Sequence, residues 1–266
     1  MGEMMSLPVE LQQLFETEIV GISFLALDGF SIGKELERTV NIIKSEINKT
    51  PLGIRRKIIK KIDYLSKNRE IHISASVEMP IKTKELTLDK GQIQIDEKTI
   101  FYPRDLYAII KLDKNYILIF SRNYQEVKEF VSYIRNLSSG KLDPIKFEFQ
   151  PSILVEMANQ FEAIHQLKII LSQSENMRYI RFGGTSLLDH PLVKSLISDK
   201  GSEIIELSGF KMTHSGKKIK VHFNNKGRLR IYKSNEYNSE DVYSLINDFE
   251  RYLLDCTPDN GQIVKK

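Results

Sequence analysis

Lys218-Ile219-Lys220-Val221-His222-Phe223 alternates cationic or titratable side chains with apolar ones, and Arg228-Leu229-Arg230-Ile231-Tyr232-Lys233 repeats the pattern after Asn224-Asn225-Lys226-Gly227. Successive side chains of an extended chain point to opposite faces. The spacing therefore predicts a β-hairpin that sets Ile219, Val221, Phe223, Leu229 and Ile231 on a core. Lys218, Lys220, His222, Arg228, Arg230 and Tyr232 then share one solvent face. The chemistry such a face offers is phosphate recognition. Counterion release favours neutralising a phosphate backbone, arginine and lysine can also reach base edges, and Tyr232 can stack on an exposed base. Like charges lined up on a sheet repel until something screens them. The plainer alternative is a hairpin showing lysine to water as protection against edge-to-edge association.

A second basic segment, Lys49 to Arg69, carries Arg55, Arg56, Lys57, Lys60 and Lys61 among eight basic residues and one acid, Asp63. Lys211 to Lys233 holds eight more basic residues and no acid. The whole chain has 39 basic and 35 acidic residues, so with these sixteen cations and one acid set aside, 23 and 34 remain. Positive charge is concentrated on an otherwise acidic molecule, which points to a polyanionic partner. Thr50 as N-cap, Pro51 in the first helical position and apolar Ile54, Ile58, Ile62 and Leu65 predict an amphipathic helix over Thr50–Leu65. On that helix Lys57, Lys60 and Lys61 would extend a nucleic-acid footprint, although a solvated lysine face would look the same.

No pattern for catalysis emerges. His72, His165, His190, His214 and His222 show no metal-ligand spacing, and the single cysteine, Cys256, has only Arg251 as a basic neighbour. Arg181-Phe182-Gly183-Gly184-Thr185-Ser186 offers a glycine pair, but neither a Walker loop nor a dinucleotide fingerprint. The expectation is a non-enzymatic chain without cofactor or metal; a catalytic site assembled only in three dimensions is the alternative.

These residues need elements to position them. Pro8–Phe15 reads as a short helix, Glu18–Leu27 as a strand turning at Asp28-Gly29, and Lys34 onward as a helix on Leu36, Val40, Ile43 and Ile47. Strands follow at Ile71–Val77, Glu85–Leu88, Gln92–Ile95, Tyr107–Leu112 and Tyr116–Ser121, closed by a helix over Gln125–Asn136. Leu137 to Pro144 is small, polar and ends in proline, a domain-boundary composition. Beyond it, helices are expected at Ile153–Ser172, Pro191–Ile197 and from Asn238 to Leu254, with strands at Arg178–Phe182 and Ile204–Leu207. On the last helix Glu240, Asp241, Asp248, Glu250 and Asp255 are expected to be exposed. The fold class expected is α+β in two domains, 1–138 and 151–266 joined by a linker at 139–150, each a mainly antiparallel sheet with helices on one face.

Two resemblances bear on function. Phe223, Gly227 and Ile231 followed by Ser239-Glu240-Asp241-Val242 and Phe249 resemble the last strand–turn–strand–helix unit of a TATA-binding-protein-like half. The strand Ile19–Leu27, the Asp28-Gly29 turn and the closing helix near Glu126–Ile134 resemble roadblock or longin-like domains, from which the Thr50–Leu65 helix and the extra strands depart. That likeness implies a protein-interaction scaffold, with a small GTPase or a second copy as partner. Composition adds the compartment: 41% hydrophobic and 28% charged residues argue against disorder. The longest apolar run, Ile19 to Leu27, falls short of the roughly 18–20 residues of a membrane span. With no signal-peptide pattern at the start, a cytoplasmic chain is expected.

Overall fold

The computed structural model describes residues 8–15, 19–28, 57–65, 69–89, 92–138, 142–145, 151–171, 178–198, 202–232 and 237–254, with a few isolated positions between. Eleven strands form a single antiparallel sheet, and five α-helices lie among the described residues. The strands are β1 (Ile19–Asp28), β2 (Lys57–Leu65), β3 (Glu70–Asp89), β4 (Gln92–Lys111), β5 (Tyr116–Ser121), β6 (Asp143–Ile145), β7 (Ala163–Leu171), β8 (Tyr179–Gly183), β9 (Ser202–Met212), β10 (Lys218–Asn224) and β11 (Arg228–Tyr232). The helices are α1 (Val9–Phe15), α2 (Tyr124–Leu137), α3 (Pro151–Asn159), α4 (Pro191–Ser198) and α5 (Ser239–Leu254).

The sheet order is β2-β3-β4-β5-β1-β11-β10-β9-β7-β8, with β6 also paired to β1. This overturns the expected pair of domains with a sheet each. β1, from the start of the chain, hydrogen-bonds β11, from its end, in the register Ile22↔Leu229 and Gly21↔Arg230, so one ladder runs through both blocks. Helices also occupy both faces rather than one. Alternation splits the central strands cleanly: Ile22, Phe24, Tyr116, Leu118 and Phe120 face one core, while Leu25, Leu27, Ile117 and Ile119 face another. The first core receives α1, α3, α4 and α5 through Leu11, Leu154, Val193, Leu245 and Ile246. The second receives α2 through Val127, Phe130 and Ile134. α2 starts at a capping box in which the Asn123 side chain accepts from the Gln125 and Glu126 amides and Glu126 reaches back.

Two segments expected to be helical contain strands instead, and each strand carries a β-bulge. From Lys57 onward the basic "helix" is β2, with a register shift between Ile59 and Lys61. The extra residue puts Ile59 and Ile62, three apart, on the same core. Likewise the segment expected to be helical over Ile153–Ser172 is helical only to Asn159, and then becomes β7. A shift between Ile164 and Gln166 leaves Ile164 and Leu167, again three apart, buried together. Asp28 ends β1 opposite Asp143, while Gly29 of the expected turn, the remainder of the Thr50 helix, Asp255 and Cys256 lie outside the described residues. In the helix expected from Lys34, the described Arg38, Asn41, Ile42 and Ser45 are helical.

The separate short strands expected at Ile71–Val77, Glu85–Leu88 and Gln92–Ile95 merge into the long β3–β4 pair. β2 leaves β3 at Val77 and β5 leaves β4 at Tyr107, so, among the described residues, positions 78–89 and 92–103 pair only with each other. This ribbon reaches about 40 Å past the sheet at ~3.4 Å per residue. Leu86, Leu88 and Ile95 are 70%, 76% and 59% exposed near its tip. Pro80 and Pro103 lie within the ladder, opposite Phe101 and Glu78. Proline has no N–H to give, so it is tolerated where the amide faces out of the pair, and it blunts those edges.

The acidic helix α5 departs from expectation in one respect that matters for packing. Asp241 and Glu250 are buried, not exposed. Asp241 caps the helix by accepting from the Asn238 amide at 2.9 Å, and it also pairs with Lys217 at 2.9 Å. Burial opposes its ionisation, but hydrogen bonds from Ser215, Asn238 and Lys217 hold its carboxyl below the usual range. Asp248 pairs with buried Lys211 at 3.4 Å. Two cations of the second basic segment therefore serve the helix, not the solvent.

Candidate nucleic-acid interface

On the face opposite α3 and α5, the strands β11, β10, β9, β7 and β8 have no helix over them among the described residues. The basic hairpin lies here. Ile219, Val221, Phe223, Leu229 and Ile231 are buried in the first core, and Lys218, Lys220, His222, Arg228, Arg230 and Tyr232 emerge on the open side. His222 stands opposite Arg230, and the Lys220 ammonium lies 5.2 Å from the centre of the Tyr232 ring. Arg228 folds over Tyr124 at 5.5 Å and over Gly21, where a Cβ would come within 3.7 Å of its guanidinium. The tight neighbour of an added Cβ would be the Ser121 carbonyl at 3.0 Å, while its contact with Arg228 would be an ordinary one. Burial, and then Arg230, push the Arg228 guanidinium below its ordinary value.

Three further strands add groups that the linear sequence did not single out. Lys168 on β7, Arg181 on β8 and Glu206 on β9 come together, with Lys168 Nζ 3.3 Å and Arg181 4.0 Å from the Glu206 carboxylate. Lys168 also sits 4.5 Å over the ring of Tyr179, which is 52% exposed. Ser208 Oγ and His222 Nδ1 are 2.6 Å apart across the β9–β10 ladder. Burial pushes the His222 imidazole below its ordinary value; Arg230, Arg228 and Arg181 act the same way, and Glu206 opposes them. His222 is accordingly neutral at pH 7, and protonating it adds a cation to the face.

The protein's own acids screen only part of this surface. Lys218 pairs with Glu162 at 2.7 Å, and Glu206 serves Lys168 and Arg181. Among the described residues no carboxylate lies within ion-pair distance of Lys220, Arg228 or Arg230. Those three cations form a strip without direct ion pairs beside two aromatic rings, with Glu126 acting on Arg228 only at longer range.

Lys57, Lys60 and Lys61 do not join that strip. They stand on β2, five strands from β11, or about 24 Å at ~4.8 Å per strand. Lys57 pairs with Glu129 of α2 at 2.9 Å. Lys60 and Lys61 face the other side, pairing with Asp105 at 2.6 Å and Asp63 at 3.0 Å. There they line a cleft of about 500 Å³ with Gln13, Ser74 and Arg122.

A buried ionic chain, also unread in the sequence, ties α5 to the first strands. The Tyr107 hydroxyl and Glu70 carboxylate flank His72, each at 2.8 Å; Lys111 lies 2.5 Å from Glu70 and 3.9 Å from Glu250. All four charged or titratable groups are at most 7% exposed. Among the described residues no cluster of three or more His, Cys, Asp or Glu is arranged to hold a metal, and no helix is long and apolar enough to cross a membrane.

Neither protein-family profiles nor curated proteins yield a match to this chain.

Proposed function

We propose that this chain binds single-stranded nucleic acid on the open face of β11, β10, β9, β7 and β8, without catalysing a reaction. The observation that carries the reading is the strip of Lys220, Arg228 and Arg230, which has cations without acids and lies beside Tyr232. An open sheet face with cations two residues apart on β11 and tyrosine rings beside them suits unpaired bases, whose faces can stack on tyrosine while the backbone is neutralised. Lys218, Lys168, Arg181 and His222 widen the footprint. A fluorescence-anisotropy titration with a labelled oligonucleotide tests this. With about four phosphates neutralised, the log–log salt slope should be near −3, and affinity should fall about 50-fold between ~50 and ~200 mM salt. Salt-insensitive binding or none at low salt defeats the reading, and tighter binding of a duplex redirects it.

The β3–β4 ribbon favours a second reading, an interaction scaffold whose partner is another copy of this chain. Leu86 and Leu88 lie on one ribbon face, with Leu86 directly opposite Ile95. A self-matching apolar tip of this kind pairs two copies about a two-fold axis. Sedimentation across a concentration series decides it: dimerisation lost in Leu86→Lys/Leu88→Lys supports the scaffold, and a monomer throughout removes it.

A further inference from the structure

The open face contains a notch lined by Gln166, Lys168, Arg181, Glu206, Ser208 and His222. We infer that this notch is a subsite for one phosphate of the bound strand, and that Glu206 is its resident competitor in the free protein; the inference rests on the reading above. Every polar group of the lining but one is a donor or can become one: an ammonium, a guanidinium, a hydroxyl, an imidazole and an amide. The exception is the Glu206 carboxylate, which sits against the two permanent cations, 3.3 Å from Lys168 and 4.0 Å from Arg181. A carboxylate and a phosphate present the same kind of anionic oxygen to such donors.

The surroundings fit an exchange of one anion for another. Lys168 is held over Tyr179 and stands opposite both Glu206 and Arg181 in the ladder, so its ammonium stays in place whichever anion it faces. The Glu206 side chain is 31% exposed and can swing to water. With the carboxylate in place the notch has room for about one water-sized group. A phosphate enters only as Glu206 leaves. The exchange keeps Lys168 and Arg181 neutralised in the free protein, while the strip at Arg228 and Arg230 makes first contact. Glu206 thereby sets a threshold: a monoanion too weak to displace it gains nothing from the notch, whereas a strand tethered at the strip meets it at high effective concentration.

Glu206→Gln keeps the side chain's shape and removes the competitor. The variant should bind a labelled oligothymidylate about fivefold more tightly than wild type at ~0.1 M salt, with the salt slope unchanged because the same phosphates are engaged in both proteins. Inorganic phosphate provides a readout that needs no nucleic acid. It should raise the melting temperature of Glu206→Gln more than that of wild type, and Glu206→Gln/Lys168→Gln should lose that gain. Equal phosphate responses in wild type and Glu206→Gln overturn the subsite, even if both bind the oligonucleotide. A larger phosphate response in Glu206→Gln with no oligonucleotide binding by either protein keeps the subsite and removes the nucleic-acid reading.

Discussion

Lys111→Met should destabilise the protein by about 3–5 kcal/mol, the cost of removing one partner from a buried ion pair. Lys111 is the cation between Glu70 and Glu250, and all three are nearly inaccessible to water. Burial lowers the Lys111 pKa on its own, but Glu250 and Glu70 outweigh it and hold the ammonium above its ordinary value. The two carboxyls are pushed in opposite directions. Burial opposes ionisation of Glu70, yet His72 and Lys111 hold it below the usual range; burial of Glu250 prevails over Lys111 and lifts that carboxyl above it. The signs follow by linkage. Glu70 contributes stability that is present above its ordinary value and lost as pH falls through its lowered one. Glu250 costs stability that grows as pH rises through its raised value.

In wild type these two contributions oppose each other as the protein is acidified. Without Lys111 both carboxyls become hard to ionise, so Lys111→Met should gain stability on going from pH 7 to pH 5. Adding Glu250→Gln should recover part of the loss at pH 7 by removing the more weakly supported charge. Urea melts of the three proteins at both pH values measure this. A Lys111→Met protein within about 1 kcal/mol of wild type at pH 7 would mean that the lysine is idle, since intact buried pairs are costly to break.

The second large effect belongs to the open face. Arg228→Gln/Arg230→Gln should weaken oligonucleotide binding about 30-fold at ~0.1 M salt and flatten the salt slope by ~1.4, two single-strand phosphates fewer. Neither guanidinium has an acid partner among the described residues, so the hairpin should keep its melting temperature to within a few degrees. Lys57→Gln/Lys60→Gln removes as much charge from the far edge of the sheet and should leave the slope unchanged. If both double variants weaken binding equally, association follows overall charge and not this surface.

The contrast between these sites shows what could be read in advance. The hairpin from Lys218 to Tyr232 was legible because strict alternation has a single structural solution, and its apolar half, Ile219 to Ile231, lies in the core as that solution demands. β7 was not, because a bulged strand imitates a helix: Ile164 and Leu167 share a core at a spacing of three only after one residue has been looped out of register. In β2 the stripe read as helical was the wrong one, since Ile59 and Ile62 make the core and Leu65 is exposed. The notch stayed hidden for the same reason. Lys168 lay in a segment read as helix, and Lys168, Arg181, Glu206 and His222 come from four strands whose adjacency no local pattern encodes. Glu250 was read as a solvent-facing acid because its partner, Lys111, is fixed by a ladder at the far end of the chain's first half.

The position of β1 between β5 and β11 governs how the polypeptide emerges from a ribosome. β1 is made early and can zip to β5 once residue 121 is out and to β6 along Ala26–Asp28 soon after, but its Ile19–Ser23 edge must wait for β11, synthesised more than a hundred residues after β5. Until then a nascent chain carries a raw strand margin over a half-built interior, the kind of surface that recruits chaperones or sticks to a neighbouring nascent copy. Closure of that seam is a long-range event, so maturation should be slow and should finish only when the C-terminal portion arrives.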